Sequence, residues 1–453
     1  MIRVSRAACV AGAVLCVAQP AFSSDAEVDQ QLSEMRELVK GLQQKVDAQE
    51  EQLSHQGELL EDAQSAVREE ADFRSNLASF LEKVEIDSWV AASYFWNFNK
   101  PSGRVPIQTN PTTITNAYSG GANGNSSADA VKFYPFHPDH NTFALDQIWL
   151  GFGKPATEDS RAGARVDFVF GNTAQFLGQG SSYNTRPPGA WDEASAFYVV
   201  AAYAEYLAPV ADGLDIIVGK FQTISGAEIA QTTENFNITR GALYNLLQPL
   251  DHLGFFAEQS IGPATVGFGV ANGNISVSSP DNNKGKTILA RASYGWDMFT
   301  GIVNYTWGVD NANDNSTKTA LLDLVLTADP TDALSMWLNF DYGYEQGSAA
   351  AGWGLALAGR YALLDNLGIA GRAEYGADNG NFFGMLGNDT EFATLTGTID
   401  YTIVEGLMLR GEVRWDWTAQ TSQVANVPFQ FFQGNASFRN TQTTIGADVI
   451  YTF

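Results

Sequence analysis

Thr444-Ile445-Gly446-Ala447-Asp448-Val449-Ile450-Tyr451-Thr452-Phe453 decides the fold. Ile445, Ala447, Val449, Tyr451 and Phe453 alternate with Thr444, Gly446, Asp448, Ile450 and Thr452. A period of two is that of an extended strand, here with one apolar, aromatic face and one face that tolerates a carboxylate. The pattern recurs upstream. Leu407, Leu409, Val413, Trp415 and Trp417 stand opposite Arg410, Glu412, Arg414 and Asp416. Ala162, Ala164, Val166, Phe168 and Phe170 oppose Arg161, Arg165 and Asp167, and Leu367, Ile369, Ala373 and Tyr375 oppose Arg372 and Glu374. A face that carries Arg together with Asp or Glu cannot meet lipid near the midplane, where Arg or Lys costs about 2 to 4 kcal/mol. Such a face is expected to line an aqueous interior.

A soluble sandwich also alternates, but its chain rarely stops on the last aromatic of a strand. The ending on Tyr451 and Phe453 resembles the C-terminal signature that outer-membrane barrels present to the barrel-assembly machinery. Tight connectors near 209–213, 262–263, 295–297, 329–332, 364–366 and 405–406 alternate with Gly/Asn/Ser-rich tracts over 99–141, 172–193, 222–251, 272–284, 376–389 and 418–437. Short turns on one rim and long loops on the other is the outer-membrane arrangement. The predicted fold class is therefore an all-β transmembrane β-barrel over residues 84–453, with about 16 antiparallel strands. An even count leaves both termini on the short-turn, periplasmic side. Aromatic residues near strand ends, such as Tyr94, Trp96, Tyr305 and Trp307, are expected to form interfacial girdles.

The N-terminal residues read differently. Arg3 and Arg6 precede an apolar run, Ala7 to Ala18, followed by Pro20 and small residues, so 1–23 is predicted to be a secretory signal peptide. Both cysteines, Cys9 and Cys16, fall inside it, and a mature chain without them has no disulfide or thiolate metal site. Residues 25–70 are then predicted to form a periplasmic coiled coil. Leu32, Met35, Val39, Leu42, Val46, Leu53 and Leu60 follow a heptad seam, with Gln49 and Gln56 on it at d positions. A helix of this length cannot bury its seam alone, and a polar layer fixes register and oligomer number. A homotrimer is the expected outcome, with a dimer or a helix folded back on the barrel as the alternatives. Residues 71–83 are predicted to be a linker or a short amphipathic helix.

The chain has 26 basic and 51 acidic side chains and a formal charge of -25 over 453 residues, which excludes a nucleic-acid partner. No metal or other cofactor is expected, and enzyme chemistry finds little support. The 4 histidines are scattered: His55 on the coiled coil, His137 and His140 in the first long tract, and His252 beside the third, 222–251. Strand parity directs Arg161, Arg165, Lys220, Arg291, Arg360, Arg372, Arg410 and Arg414 inward. Asp167, Asp323, Asp341, Glu374, Asp400, Glu412, Asp416 and Asp448 are interleaved with them. Such rings set ion preference, or else brace the wall as mutual pairs. The tract 222–251, with Glu228, Glu234 and Arg240, is the predicted inward-folded constriction.

Gly219 to Glu228, Thr233 to Asn237 and Gln248-Pro249-Leu250-Asp251-His252-Leu253-Gly254 resemble the central strand–loop–strand region of the OmpL-like β-barrel porins. Arg165 to Gly171 looks like that family's preceding strand. The coiled coil ahead of a barrel is similar to trimeric specific porins with such an extension. The resemblance implies passive diffusion of small hydrophilic solutes or ions across the outer membrane of a Gram-negative bacterium, with lipid and lipopolysaccharide around the barrel. The rival reading is a structural anchor whose stalk tethers peptidoglycan or a periplasmic partner.

Overall fold

The computed structural model describes residues 25–81, 83–100, 134, 136–137, 141–177, 197–273, 283–309, 314–348, 350–380, 382, 390–420, 431–433 and 437–453. The signal segment with Cys9 and Cys16, His140 and most of the first long tract lie outside the described residues. The chain forms two compact units, 1–82 and 83–453.

The first unit is one helix, α1 (Asp25–Leu81). Its seam is bare: Leu32, Met35, Val39, Leu42, Val46, Leu53 and Leu60 are all at least 45% exposed. The helix runs on through the tract that sequence assigned to a linker or a separate short helix. No Gly or Pro follows Gly57 before its end, and Arg74 pairs with Glu70 one turn back at 2.6 Å, so nothing interrupts the backbone ladder.

In the second unit the strands are β1 (Glu85–Asn97), β2 (Thr142–Lys154), β3 (Ala162–Phe170), β4 (Phe197–Ala208), β5 (Leu214–Gln222), β6 (Asp251–Ile261), β7 (Ala264–Ala271) and β8 (Thr287–Trp296). They continue as β9 (Phe299–Val309), β10 (Lys318–Thr331), β11 (Leu334–Glu345), β12 (Ala351–Leu364), β13 (Leu367–Asn379), β14 (Thr390–Val404), β15 (Leu407–Gln420) and β18 (Thr441–Thr452). These sixteen close into an antiparallel barrel, and β16 (Phe431–Gln433) pairs with β17 (Ser437–Arg439) as a separate hairpin. Closure is made by β1 on β18, from Trp89 opposite Thr452 to Asn97 opposite Thr444. A closed barrel leaves no unpaired strand edge, which is what a hydrocarbon environment demands of β structure.

Each strand sorts its side chains as the alternation requires. Leu338, Leu355, Ile369, Leu395, Val413 and Ile445 are exposed on the outside, whereas Asp323, Asp341, Arg372, Glu374, Arg410 and Arg414 are buried inside. The connections alternate in kind with one short exception. One rim has turns at 155–161, 209–213, 262–263, 297–298, 332–333, 365–366 and 405–406; the other carries the long loops and the five-residue connection 346–350. Asp297 and Gly406 at the tight turns have φ of 50° and 77°, the left-handed conformation that a two-residue hairpin requires.

The lumen has a core of its own. Tyr134 and Phe136 of the β1–β2 loop, α2 (Asn172–Leu177) and α3 (Ala242–Leu247) bring apolar side chains together inside the barrel, against Trp89, Trp149 and Phe392 of the wall. Trp89 stacks on Trp149 with ring centroids 5.0 Å apart.

Candidate pore and its constriction

The loop 223–250 leaves β5 and returns to β6 on one side of the barrel, its base closed by the Thr223 N–H donating to the Leu250 carbonyl at 3.3 Å. Most of its contacts with the wall are made away from these two strands. The Gly226 N–H donates to Asp323 (3.0 Å) and the Ala227 N–H to Asn339 (3.3 Å), while the Gln248 amide donates to Asn339 (2.8 Å) and Asp341 (2.9 Å). Both ends of the loop are thereby fixed to β10 and β11.

The middle is fixed to β13–β15. Glu412 accepts from the N–H groups of Ile238 (2.7 Å) and Thr239 (3.2 Å) and from the Thr239 hydroxyl (2.6 Å). Arg410, paired with Asp448, donates to the carbonyls of Thr232 (3.1 Å) and Asn235 (3.2 Å). Arg372 donates to Glu228 (2.5 Å) and to the Thr239 carbonyl (2.6 Å). At the start of α3, the N–H groups of Ala242 and Leu243 each donate to Glu374 at 3.0 Å, and that of Gly241 donates to Glu228 at 2.7 Å. A Cβ at Gly241 would collide with the carboxylate oxygens of Glu374 and Glu228, so a larger residue there would displace one of them from the loop amides. Backbone donors left free by a loop are thus satisfied by wall carboxylates, and its free carbonyls by wall guanidiniums.

A second loop joins the first through Arg414 and Arg240. Arg414 donates to the Arg240 carbonyl (2.8 Å) and to Asp416 (2.7 Å), and its guanidinium lies 4.6 Å from the centre of the Tyr134 ring. The Tyr134 hydroxyl donates to Asp416 at 2.8 Å. Arg240 sits over the Phe136 ring at 4.8 Å and donates to the carbonyls of Ile229, Ala230 and Ile238. Burial pushes the Arg240 guanidinium down to about 10, so it stays charged near neutrality. Burial likewise raises the Glu228 carboxyl, with Arg372 opposing that shift.

The positions expected to line a pore therefore separate into groups. Arg372, Glu374, Arg410, Glu412, Arg414 and Asp416 are brought together beneath the loop, each at most 5% exposed. Glu228 and Arg240 join them, whereas Glu234 is exposed at the surface of the loop. Arg360 forms a two-bond pair with Asp400 lower on the wall (2.6 and 3.0 Å). Arg161 bonds the Leu207 carbonyl near the short-turn rim. Lys220 departs from the inward expectation: it alternates with Ile217 and Phe221, which pack in the interior, and so stands on the opposite face. Its ammonium turns back to the Val199 carbonyl (2.8 Å), Asp251 (3.3 Å) and the Tyr198 ring, where β4 ceases to pair with β5.

Arg165 and Arg291 belong to the other side of the lumen. A recess of about 360 Å³ lies there, lined by Arg165, Asp167, Tyr203, Phe256, Glu258 and Arg291 among others. Arg165 is bound by Asp87 (2.6 Å) and Asp167 (2.8 Å). On this side Asp87, Asp167, Glu205, Asp215 and Glu258 outnumber Arg161, Arg165 and Arg291.

Sequence reasoning passed over Gln147 of β2, whose amide donates to the Ala230 carbonyl (2.7 Å) and whose oxygen accepts from the Thr232 N–H (3.1 Å). It also passed over Tyr134 and Phe136, whose only signal was the aromatic cluster Phe133, Tyr134 and Phe136 late in a long loop. Ser93, His137 and Asp146 meet in the interior, but both the hydroxyl (3.4 Å) and the carboxylate (3.2 Å) face the same ring nitrogen, Nδ1, so they form no relay. Among the described residues no three His, Cys, Asp or Glu side chains converge as a metal site.

A closed sixteen-stranded barrel with an inward-folded loop defines an outer-membrane β-barrel of porin type. Over residues 83–453 the sequence matches the family described as Putative beta-barrel porin-2, OmpL-like, and the chain belongs to that family. Among solved structures it is similar in fold to the trimer form of in-vitro folded OmpT of Vibrio cholerae, at 9% identity and a TM-score of 0.51, covering 82% of this chain and 99% of that one. Outer-membrane expressed OmpT of the same organism gives 9% identity and a TM-score of 0.50, with 82% and 97% covered. An anion-selective porin from Comamonas acidovorans gives 11% identity and a TM-score of 0.49, with 82% and 99% covered. No curated protein sequence matches the chain.

Proposed function

We propose that this outer-membrane barrel is a passive channel for small hydrophilic solutes and ions, with loop 223–250 as its constriction. The observation that carries this reading is the network that holds the loop across the lumen and leaves a polar recess on the β3–β8 side. The dispersed histidines favour a channel over an enzyme. The inward arginines under the loop are consumed by carboxylates and carbonyls, so selectivity falls to the β3–β8 side of the lumen, where Asp87, Glu205 and Asp215 add to a recess lining that itself holds two carboxylates and two guanidiniums. A cation preference follows. Reversal potentials across a salt gradient test it: Glu205→Gln with Asp215→Asn is expected to shift the potential toward anions. An anion preference in the unsubstituted protein would contradict the assignment.

We further propose that α1 stands in the periplasm and self-associates as a trimer, the bare seam with its Gln49 and Gln56 layers being the support. Val46→Asp with Leu53→Asp is expected to convert crosslinked trimers of the full chain to monomers. Unchanged crosslinking would reject the seam. The structural-anchor reading keeps one observation in its favour, the apolar filling of the lumen, with Ile238 and Leu247 wholly buried. Barrel-assembly machinery at Tyr451 and Phe453, lipopolysaccharide around the wall and peptidoglycan at the stalk are the partners that these two readings invoke.

A further inference from the structure

We infer that the β3–β8 recess is a solute subsite for a small zwitterion with an apolar body, the class of the apolar α-amino acids. This rests on the channel reading and adds a ligand class to it. One wall of the recess is apolar: Phe221 and Phe256 pack in one interior cluster, with Ile217 against it. The opposing groups are Arg291, Glu258 and Gln231. Arg291 and Glu258 are 30% and 33% exposed and form a long ion pair, with Arg291 Nε 3.5 Å from Glu258 Oε1. Arg291 Nε and Gln231 Oε1 are both buried without a hydrogen-bond partner.

Arg165, the other guanidinium, is already held by two carboxylates at 2.6 and 2.8 Å, whereas Arg291 has only the long ion pair with Glu258 and is the more available of the two. A carboxylate on Arg291 and an ammonium shared by Glu258 and the Gln231 carbonyl would complete these groups, with the solute's side chain against Phe221 and Phe256. A lone cation or anion meets a neighbouring pair of opposite sign and satisfies half of it. An uncharged solute satisfies neither end. The volume of about 360 Å³ is that of a small-solute cleft.

The test is blockade of single-channel current by L-leucine, compared with leucinamide and 4-methylpentanoate, each of which carries one of the two charges. Leucine is expected to block saturably, and each analogue to be weaker by about ten-fold or more, the loss of one charge-assisted hydrogen bond. Arg291→Gln and Glu258→Gln are expected to remove leucine's advantage while current steps persist. Equal potency of the three compounds, or no blockade of a conducting channel, overturns the inference and leaves the channel reading intact. Should the folded protein carry no current, calorimetric titration with leucine reads the same site directly. Heat from leucine that vanishes in Arg291→Gln supports the subsite while the channel reading fails, and absence of heat rejects the subsite.

Discussion

Arg414→Ala is expected to raise single-channel conductance, make the current noisy and lower the melting temperature of the folded barrel. Arg414 is wholly buried and holds Asp416, the Arg240 carbonyl and the Tyr134 ring at once. Its removal strands Asp416 as an uncompensated buried charge, a loss of about 3 to 5 kcal/mol for a broken buried pair. The same deletion unfastens two loops, because Tyr134 and Arg240 meet through this side chain. Conductance and thermal unfolding of the variant beside the unsubstituted protein check both effects. A change in ion selectivity at unchanged conductance would instead mark Arg414 as a free pore charge.

Arg372→Ala is expected to loosen the loop in a pH-dependent way. Arg372 lies between Glu228 of the loop and Glu374 of the wall, at 2.5 and 3.3 Å. Without it two carboxylates remain near one another in a buried site, where the loop amides, the Thr394 hydroxyl and the charge of Arg240 offset them only in part. Burial already raises the Glu228 carboxyl, and loss of its cation raises it further. The sign follows: above that pKa the charged carboxylate opposes docking of the loop, and below it the neutral acid does not. Conductance of the variant is therefore expected to fall toward that of the unsubstituted protein as pH is lowered from alkaline to mildly acidic. A pH-independent rise would remove Glu228 from the account.

The barrel was legible from strands such as β15 and β18 because a period of two needs only local sequence. Membrane chemistry then fixes which face is which. The even strand count and the alternation of short and long connections followed from turn residues such as Gly262-Pro263 and Glu405-Gly406. What alternation cannot report is occupancy. Parity puts Arg410 and Arg414 on one face of β15, but their partners Thr232, Asn235 and Arg240 lie more than 170 positions away in sequence, on a loop with no period of its own. A ladder of free charge and a set of charges consumed by a docked loop read identically in the strand. Lys220 shows the complementary failure, since a strand that parts from its neighbour lets a long side chain turn back across the wall. The continuous helix through residue 81 shows that a fading heptad seam need not mark the end of a helix.

The central claim is a conducting barrel narrowed by loop 223–250. Its most direct test is the planar-bilayer conductance of the detergent-folded protein beside a variant in which residues 227–247 are replaced by a short Gly/Ser linker, both shown to be folded by heat-modifiable migration. The account predicts small stepwise openings for the complete chain and distinctly larger ones for the variant. Equal conductance would contradict the constriction, and silence from both folded proteins would contradict the channel itself.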